Sequence, residues 1–208
     1  MHTESLSDSP SERLSFFYAQ QIQKILACFT YLCYTIPMKH DFYKKIYEGN
    51  ANFLSSRSFA KKALPIIDKI LTGGFFVAYG VLCLYAITKK TGAVDMLPIF
   101  FAPMLGLLVV SALQLLIDKP RPYSENGAGI TPLVKKNKEG HSFPSRHIAC
   151  ACVIATTCLP YLMPLGIFLY FLSVLLIYTR FSLGLHYLSD LFAGGILGVL
   201  CGLSVFLL

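Results

Sequence analysis

Charge is scarce in this chain. Of its 208 residues only 14% are Asp, Glu, Lys or Arg, against 55% hydrophobic, and the mean hydropathy is +0.59. That balance excludes an ordinary soluble domain. A polar stretch long enough for a separate soluble domain is missing too, so one membrane-embedded unit is the natural reading. None of the seven cysteines (Cys28, Cys33, Cys83, Cys150, Cys152, Cys158, Cys201) falls in a polar loop. They read as small buried apolar residues and indicate neither a disulfide framework nor a metal site. No carboxylate cluster suggests a metal, and no repeat or low-complexity segment is present. The N-terminal MHTESLSDSPSERL carries both signs of charge and lacks the basic start of a cleaved signal peptide, so 1–15 reads as a polar tail.

What the chain does have is apolar runs of about the 20 residues that cross a bilayer. They lie at 16–37, 64–88, 96–117 and 147–161, with a fifth ending at Arg180 and a sixth running from His186 to the C-terminus. The expected fold is all-α, a polytopic membrane helical bundle of about six transmembrane helices, with 16–208 as a single domain. The first run is interrupted by Gln20, Gln21, Gln23 and Lys24. It reads either as a span or as an amphipathic helix on the surface, with spanning favoured. The connection 38–63 interleaves lysines and arginine with Phe and Tyr, which fits the headgroup region or a solvated linker. Gly73, Gly74 and Gly80 in the second run, and Gly194, Gly195, Gly198 and Gly202 in the sixth, are expected to let helices approach closely. Pro98 and Pro103 are expected to kink the third. The net charge of +7 is carried in the short connections, which favours anionic headgroups or a phosphorylated substrate over nucleic acid.

The remaining ionisable residues gather at span ends. In TRFSLGLHYLSD (Thr179 to Asp190), a helix beginning near His186 would put His186 and Asp190 on one face, where the carboxylate holds one imidazole nitrogen and leaves the other to act. Arg180 would be brought near by a turn at Gly184. A histidine merely paired with an acid at a helix end is the alternative. In QLLIDKPRPYSENG, Pro120 and Pro122 stiffen the backbone on either side of Arg121, giving a positioned guanidinium or a snorkelling anchor. The polar loop that follows carries Lys135, Lys136 and Lys138, as a lid, an electrostatic funnel or solvated charge. In HSFPSRH, Pro144 suits the first position of a helix, which would leave the N–H groups of Ser145, Arg146 and His147 and the Ser145 hydroxyl facing an anion. Six spans bring Arg121, Ser145, His147, Arg180, His186 and Asp190 to one membrane level. Arginines and backbone donors stabilise the spread negative charge of phosphoryl transfer, while one histidine attacks phosphorus and a second protonates the leaving oxygen.

These three stretches resemble the signatures of the type 2 phosphatidic acid phosphatase superfamily, the lipid phosphate phosphatases: K-x6-RP as Gln114 to Pro122, PSGH as Pro144 to His147, and SR-x5-H-x3-D as Thr179 to Asp190. The resemblance implies that His186 is the nucleophile, that Asp190 orients it, and that His147 protonates the leaving group and then activates water. It further implies that Arg121, Arg180 and Ser145 hold the phosphate and that no metal ion or other cofactor takes part. Three positions depart from the pattern. Gln114 stands for the lysine, as a phosphate contact that can donate a hydrogen bond but supplies no charge, which Lys119 or Arg146 would replace as phosphate contacts. Arg146 stands for the glycine, adding charge but crowding the site, and Thr179 for serine keeps the hydroxyl.

A lipid-phosphate-binding protein that has lost turnover is the competing reading, opposed by the retention of His147, His186 and Asp190 together. A six-span transporter would place its ionisable residues near mid-membrane. The motifs leave the lipid open among polyprenyl diphosphates such as undecaprenyl diphosphate, phosphatidate, phosphatidylglycerol phosphate and lipid A phosphates, and they leave the oligomeric state open. The small size and absence of extra domains lean toward a bacterial-type enzyme of the inner membrane, and the resemblance implies a catalytic face outside the cytoplasm. Counting Lys and Arg in the connections would turn that face inward.

Overall fold

The computed structural model describes residues 40–89, 93–134 and 139–206. The tail, the first apolar run and the lysines at 135, 136 and 138 lie outside them. The described residues form α1 (His40–Ser55), α2 (Ser58–Thr88), α3 (Ala93–Ile117), α4 (Arg146–Cys158), α5 (Met163–Ser182) and α6 (Leu188–Gly202), closed by a 3-10 turn at Leu203–Phe206. No strand occurs among them, and the protein is an all-α membrane bundle. Among the described residues three segments are long and apolar enough to cross a bilayer: Ser58–Thr88, Met96–Ile117 and Met163–Ser182. Their outer faces expose Ile70, Phe76, Leu84, Leu108, Leu115 and Phe171. An apolar band of that extent is stable against lipid and not against water.

The expected fourth and sixth spans are shorter than their apolar runs, at 13 and 15 residues. α4 need not match the bilayer because it is wrapped by protein, with nearly every residue from Ile148 to Cys158 buried. The packing partner is α6, whose Gly194, Gly198 and Gly202 repeat every fourth residue and face α4. A Cβ at 194 would meet the backbone of Ser145, at 198 the Ala149 carbonyl and Cys152, and at 202 the Thr156 side chain. Gly198→Val is therefore expected to lower the stability of the detergent-solubilised protein by about 1–3 kcal/mol, the usual effect of overpacking. An unchanged thermal unfolding midpoint would contradict this packing.

Two expectations about backbone and packing need correction. Gly73, Gly74 and Gly80 of α2 show no close packing among the described residues, where a Cβ at any of them meets nothing within 4 Å. From His40 onward the connection 38–63 is no plain linker, because it folds as α1 and the start of α2. In α1, Tyr43, Tyr47 and Leu54 recur on one face and are buried. The third span keeps Pro98 and Pro103 inside one continuous helix.

Candidate active site

His186 lies in the short joint between α5 and α6. The turn is made by Gly184, whose φ of +73° favours a residue without a Cβ, and by hydrogen bonds from Gly184 N to Phe181 O and from Leu185 N to Arg180 O. The His186 ring is 2% exposed, and its Nδ1 stands 2.8 Å from the carbonyl oxygen of Ser142. A carbonyl only accepts, so Nδ1 carries the hydrogen and Nε2 keeps its lone pair. Burial, reinforced by the charges of Arg121 and Arg180, holds the imidazole well below its ordinary value of 6.5. A ring so held is neutral at pH 7 and keeps the Nε2 lone pair that a nucleophile or a base requires.

One consequence is measurable. The acid limb of the kcat/KM profile is expected well below pH 6.5, because the proton that would silence Nε2 is disfavoured in the folded site. The sign for stability follows from the same shift. The unfolded chain takes up this proton as pH falls through 6.5 while the folded chain resists it, so His186 lowers stability on the acid side only. An activity profile that switches off at the ordinary histidine value would contradict a buried neutral ring.

Asp190 is not hydrogen-bonded to His186, contrary to expectation. His186 precedes the helix, which begins at Leu188, so the i, i+4 relation does not apply. Asp190 instead occupies the first turn of α6 and reaches back to the N–H of Tyr187 at 3.3 Å. It is fully buried and accepts further bonds from Lys119 Nζ at 2.7 Å, Ser142 Oγ at 2.6 Å and Ser189 Oγ at 3.2 Å. Its influence on His186 passes through Ser142, whose hydroxyl it holds and whose carbonyl holds the ring. Lys119 is thereby committed to Asp190, over the rings of Tyr187 and Phe143, and does not line the cavity.

That cavity, of about 240 Å³, is lined by His186, His147, Gln114 and three arginines at 121, 146 and 180. Arg121 is held by its Nε to Gly140 O at 3.1 Å and its Nη1 to Leu185 O at 3.2 Å. The Arg146 side chain makes no hydrogen bond or ion pair among the described residues. Arg180 is clamped by Asp68 of α2, with Nε 2.9 Å from Oδ1 and Nη2 donating at 3.0 Å to Oδ2. Thr179 also donates to Asp68 Oδ1, at 3.2 Å. Three guanidinium charges thus face a space whose lining contains no carboxylate, an arrangement suited to a multiply charged oxyanion.

The start of α4 is displaced from expectation. Ser145 is the residue preceding the helix, Pro144 lies before it, and the Ser145 N–H already donates to the Asp190 carbonyl at 2.9 Å. The Ser145 hydroxyl is buried without a hydrogen-bond partner among the described residues, a donor left available beside the cavity. Gln114, at the motif's lysine position, donates its amide to Pro144 O at 2.8 Å and so braces the chain leading into α4.

Sequence reasoning missed Ser142 and the role of Asp68. Ser142 is two residues before Pro144 in an informative motif, but it meets the His186 ring through its backbone carbonyl, which side-chain reading ignores. Asp68 carried a usable signal, since a carboxylate in an apolar span normally has a partner. The structure brings together Arg121, Arg146, His147, Arg180 and His186 around one cavity, with Ser145 and Asp190 behind it.

The sequence profile of the PAP2 superfamily matches residues 95–208, which contain all three motifs. A search of curated protein sequences returns no match. Among solved structures, LpxE of Aquifex aeolicus is 25% identical with a TM-score of 0.52, the alignment covering 69% of this chain and 87% of LpxE. The PAP2 type phosphatidylglycerolphosphate phosphatase of Bacillus subtilis is similar in fold, at 21% identity and a TM-score of 0.64, over 87% of this chain and 92% of that one. With more than half of its length matched, the chain belongs to the PAP2 superfamily, as a membrane phosphatase of that type.

Proposed function

We propose that the protein hydrolyses the phosphomonoester or diphosphate headgroup of a membrane lipid through a phosphohistidine at His186. The observation that carries this reading is the neutral ring of His186, fixed through Nδ1 beside a cavity bearing three arginines. Nε2 attacks phosphorus, the bond from phosphorus to the leaving oxygen breaks, and His147 supplies that oxygen's proton. His147 then takes a proton from water, whose oxygen displaces the imidazole and frees inorganic phosphate. Arg121, Arg146, Arg180 and the Ser145 hydroxyl hold the phosphoryl oxygens as charge builds.

An apolar cavity of about 260 Å³ adjoins at Arg146 and His147 and continues along Phe75, Leu107, Ile154 and Leu176. It suits the first carbons of a lipid chain, so undecaprenyl diphosphate, phosphatidate and phosphatidylglycerol phosphate are the substrates to try. We assign the enzyme to the bacterial inner membrane with its active site on the extracytoplasmic face and its C-terminus in the cytoplasm. A topology reporter fused after Leu208 that reads extracytoplasmic would reverse this.

The test is phosphate release from a panel of these lipids in detergent with EDTA present. Release is expected to survive chelation, and the fastest lipid identifies the substrate. One observation favours the alternative of a binding protein without turnover: the residue at the motif's lysine position, Gln114, brings no charge to the cavity and donates its amide N–H to the Pro144 carbonyl. Lipid binding with no release from any member of the panel would establish that alternative.

A further inference from the structure

α1 touches the nucleophile's loop, and none of the three motifs includes it. Tyr43 is fully buried, and its hydroxyl donates to the carbonyl oxygen of His186 at 3.2 Å. Its ring packs on Tyr187 at 4.8 Å and edge-on to Phe181 at 5.8 Å, the residues flanking the joint. Asn50 adds a bond to Ser182 Oγ at 2.8 Å. The helix therefore grips both ends of the segment that carries His186.

The other faces of α1 show where it lies. One residue out of step with the Tyr43 stripe, about 100° round the helix, Phe42, Ile46 and Phe53 point outward and are 54%, 37% and 56% exposed. A further 100° round come the exposed polar residues Asp41, Lys45, Glu48 and Asn52. A helix with one face on protein, the next apolar and the third polar fits the corner between a bundle and a bilayer surface. Near the start of α2, Ile66, Ile67 and Ile70 are exposed as well. Exposed Lys45, Arg57, Lys61 and Lys62 supply charge complementary to anionic headgroups.

We propose that α1 is an interfacial strap, seated in the headgroup boundary of an anionic bilayer by Phe42, Ile46 and Phe53, whose Tyr43 is a positioning residue for His186. Bilayer contact and nucleophile placement are thereby joined in one helix. The catalytic half rests on the phosphohistidine reading above.

The chain contains no tryptophan, so Phe42→Trp in the full-length protein is a single clean probe. Reconstituted into phosphatidylcholine and phosphatidylglycerol vesicles with brominated acyl chains, its emission is expected to be blue-shifted and quenched. Water-like emission overturns the proposal. Blue-shifted emission that bromine leaves unquenched also overturns it, in favour of a protein surface such as a second copy. In the same vesicles, Tyr43→Phe keeps the ring and removes one hydrogen bond, so kcat is expected to fall about fivefold with KM unchanged. A wild-type kcat, or a loss confined to KM, overturns the positioning role. If the wild-type protein releases no phosphate, the phosphatase reading fails by itself, and the bromine result still decides whether the strap is seated in lipid.

Discussion

His186→Asn is expected to abolish turnover, by at least roughly 10⁴-fold, while the protein stays folded. Removing a covalent nucleophile typically has an effect of this size. Asparagine can still donate to the Ser142 carbonyl that fixes the native ring, so the joint between α5 and α6 keeps its main restraint. With radiolabelled substrate the wild-type chain should carry an acid-labile, base-stable phosphoramidate that the variant lacks. His147→Asn is expected to behave differently. It slows both half-reactions by about 10²–10⁴-fold, the range of general acid–base catalysis, yet still lets label reach His186. Label found on another residue, or turnover retained by His186→Asn, would end the phosphohistidine proposal.

Asp68→Ala should produce the largest loss of stability, about 3–5 kcal/mol, because it leaves a buried guanidinium without its counter-charge. Both side chains of the pair are close to 10% exposed, at 11% for Asp68 and 8% for Arg180. Activity should fall with it, since Asp68 holds two corners of the Arg180 guanidinium while that side chain lines the cavity. Asp68→Asn keeps an acceptor and the shape, so its effect should be smaller. Replacing both partners, Asp68→Leu with Arg180→Met, should recover much of the stability and none of the activity, which separates the structural role of the pair from the phosphate contact. A thermal unfolding midpoint for Asp68→Ala equal to that of the wild type would show that the clamp contributes nothing.

The combination of membrane bundle, three reactive motifs and a cationic level at the span ends was legible in the chain, because each depends on local composition and short spacing. Apolar runs declare helices in lipid, and prolines and glycines mark where they stop. Partnerships were not legible. His186 and Asp190 are four apart in sequence, but the helix begins between them, so the ring is held by the Ser142 carbonyl 44 residues away. Lys119 and Arg180 both looked available to phosphate, and packing gave each a carboxylate, Asp190 and Asp68 respectively. Glycine stripes of similar composition diverged in the same way: 194, 198 and 202 face a neighbour, whereas 73, 74 and 80 meet nothing within 4 Å among the described residues. A side chain's chemical type is carried in the sequence. Which groups it neutralises, and which it leaves free for substrate, depends on contacts between distant segments that exist only once the helices have packed.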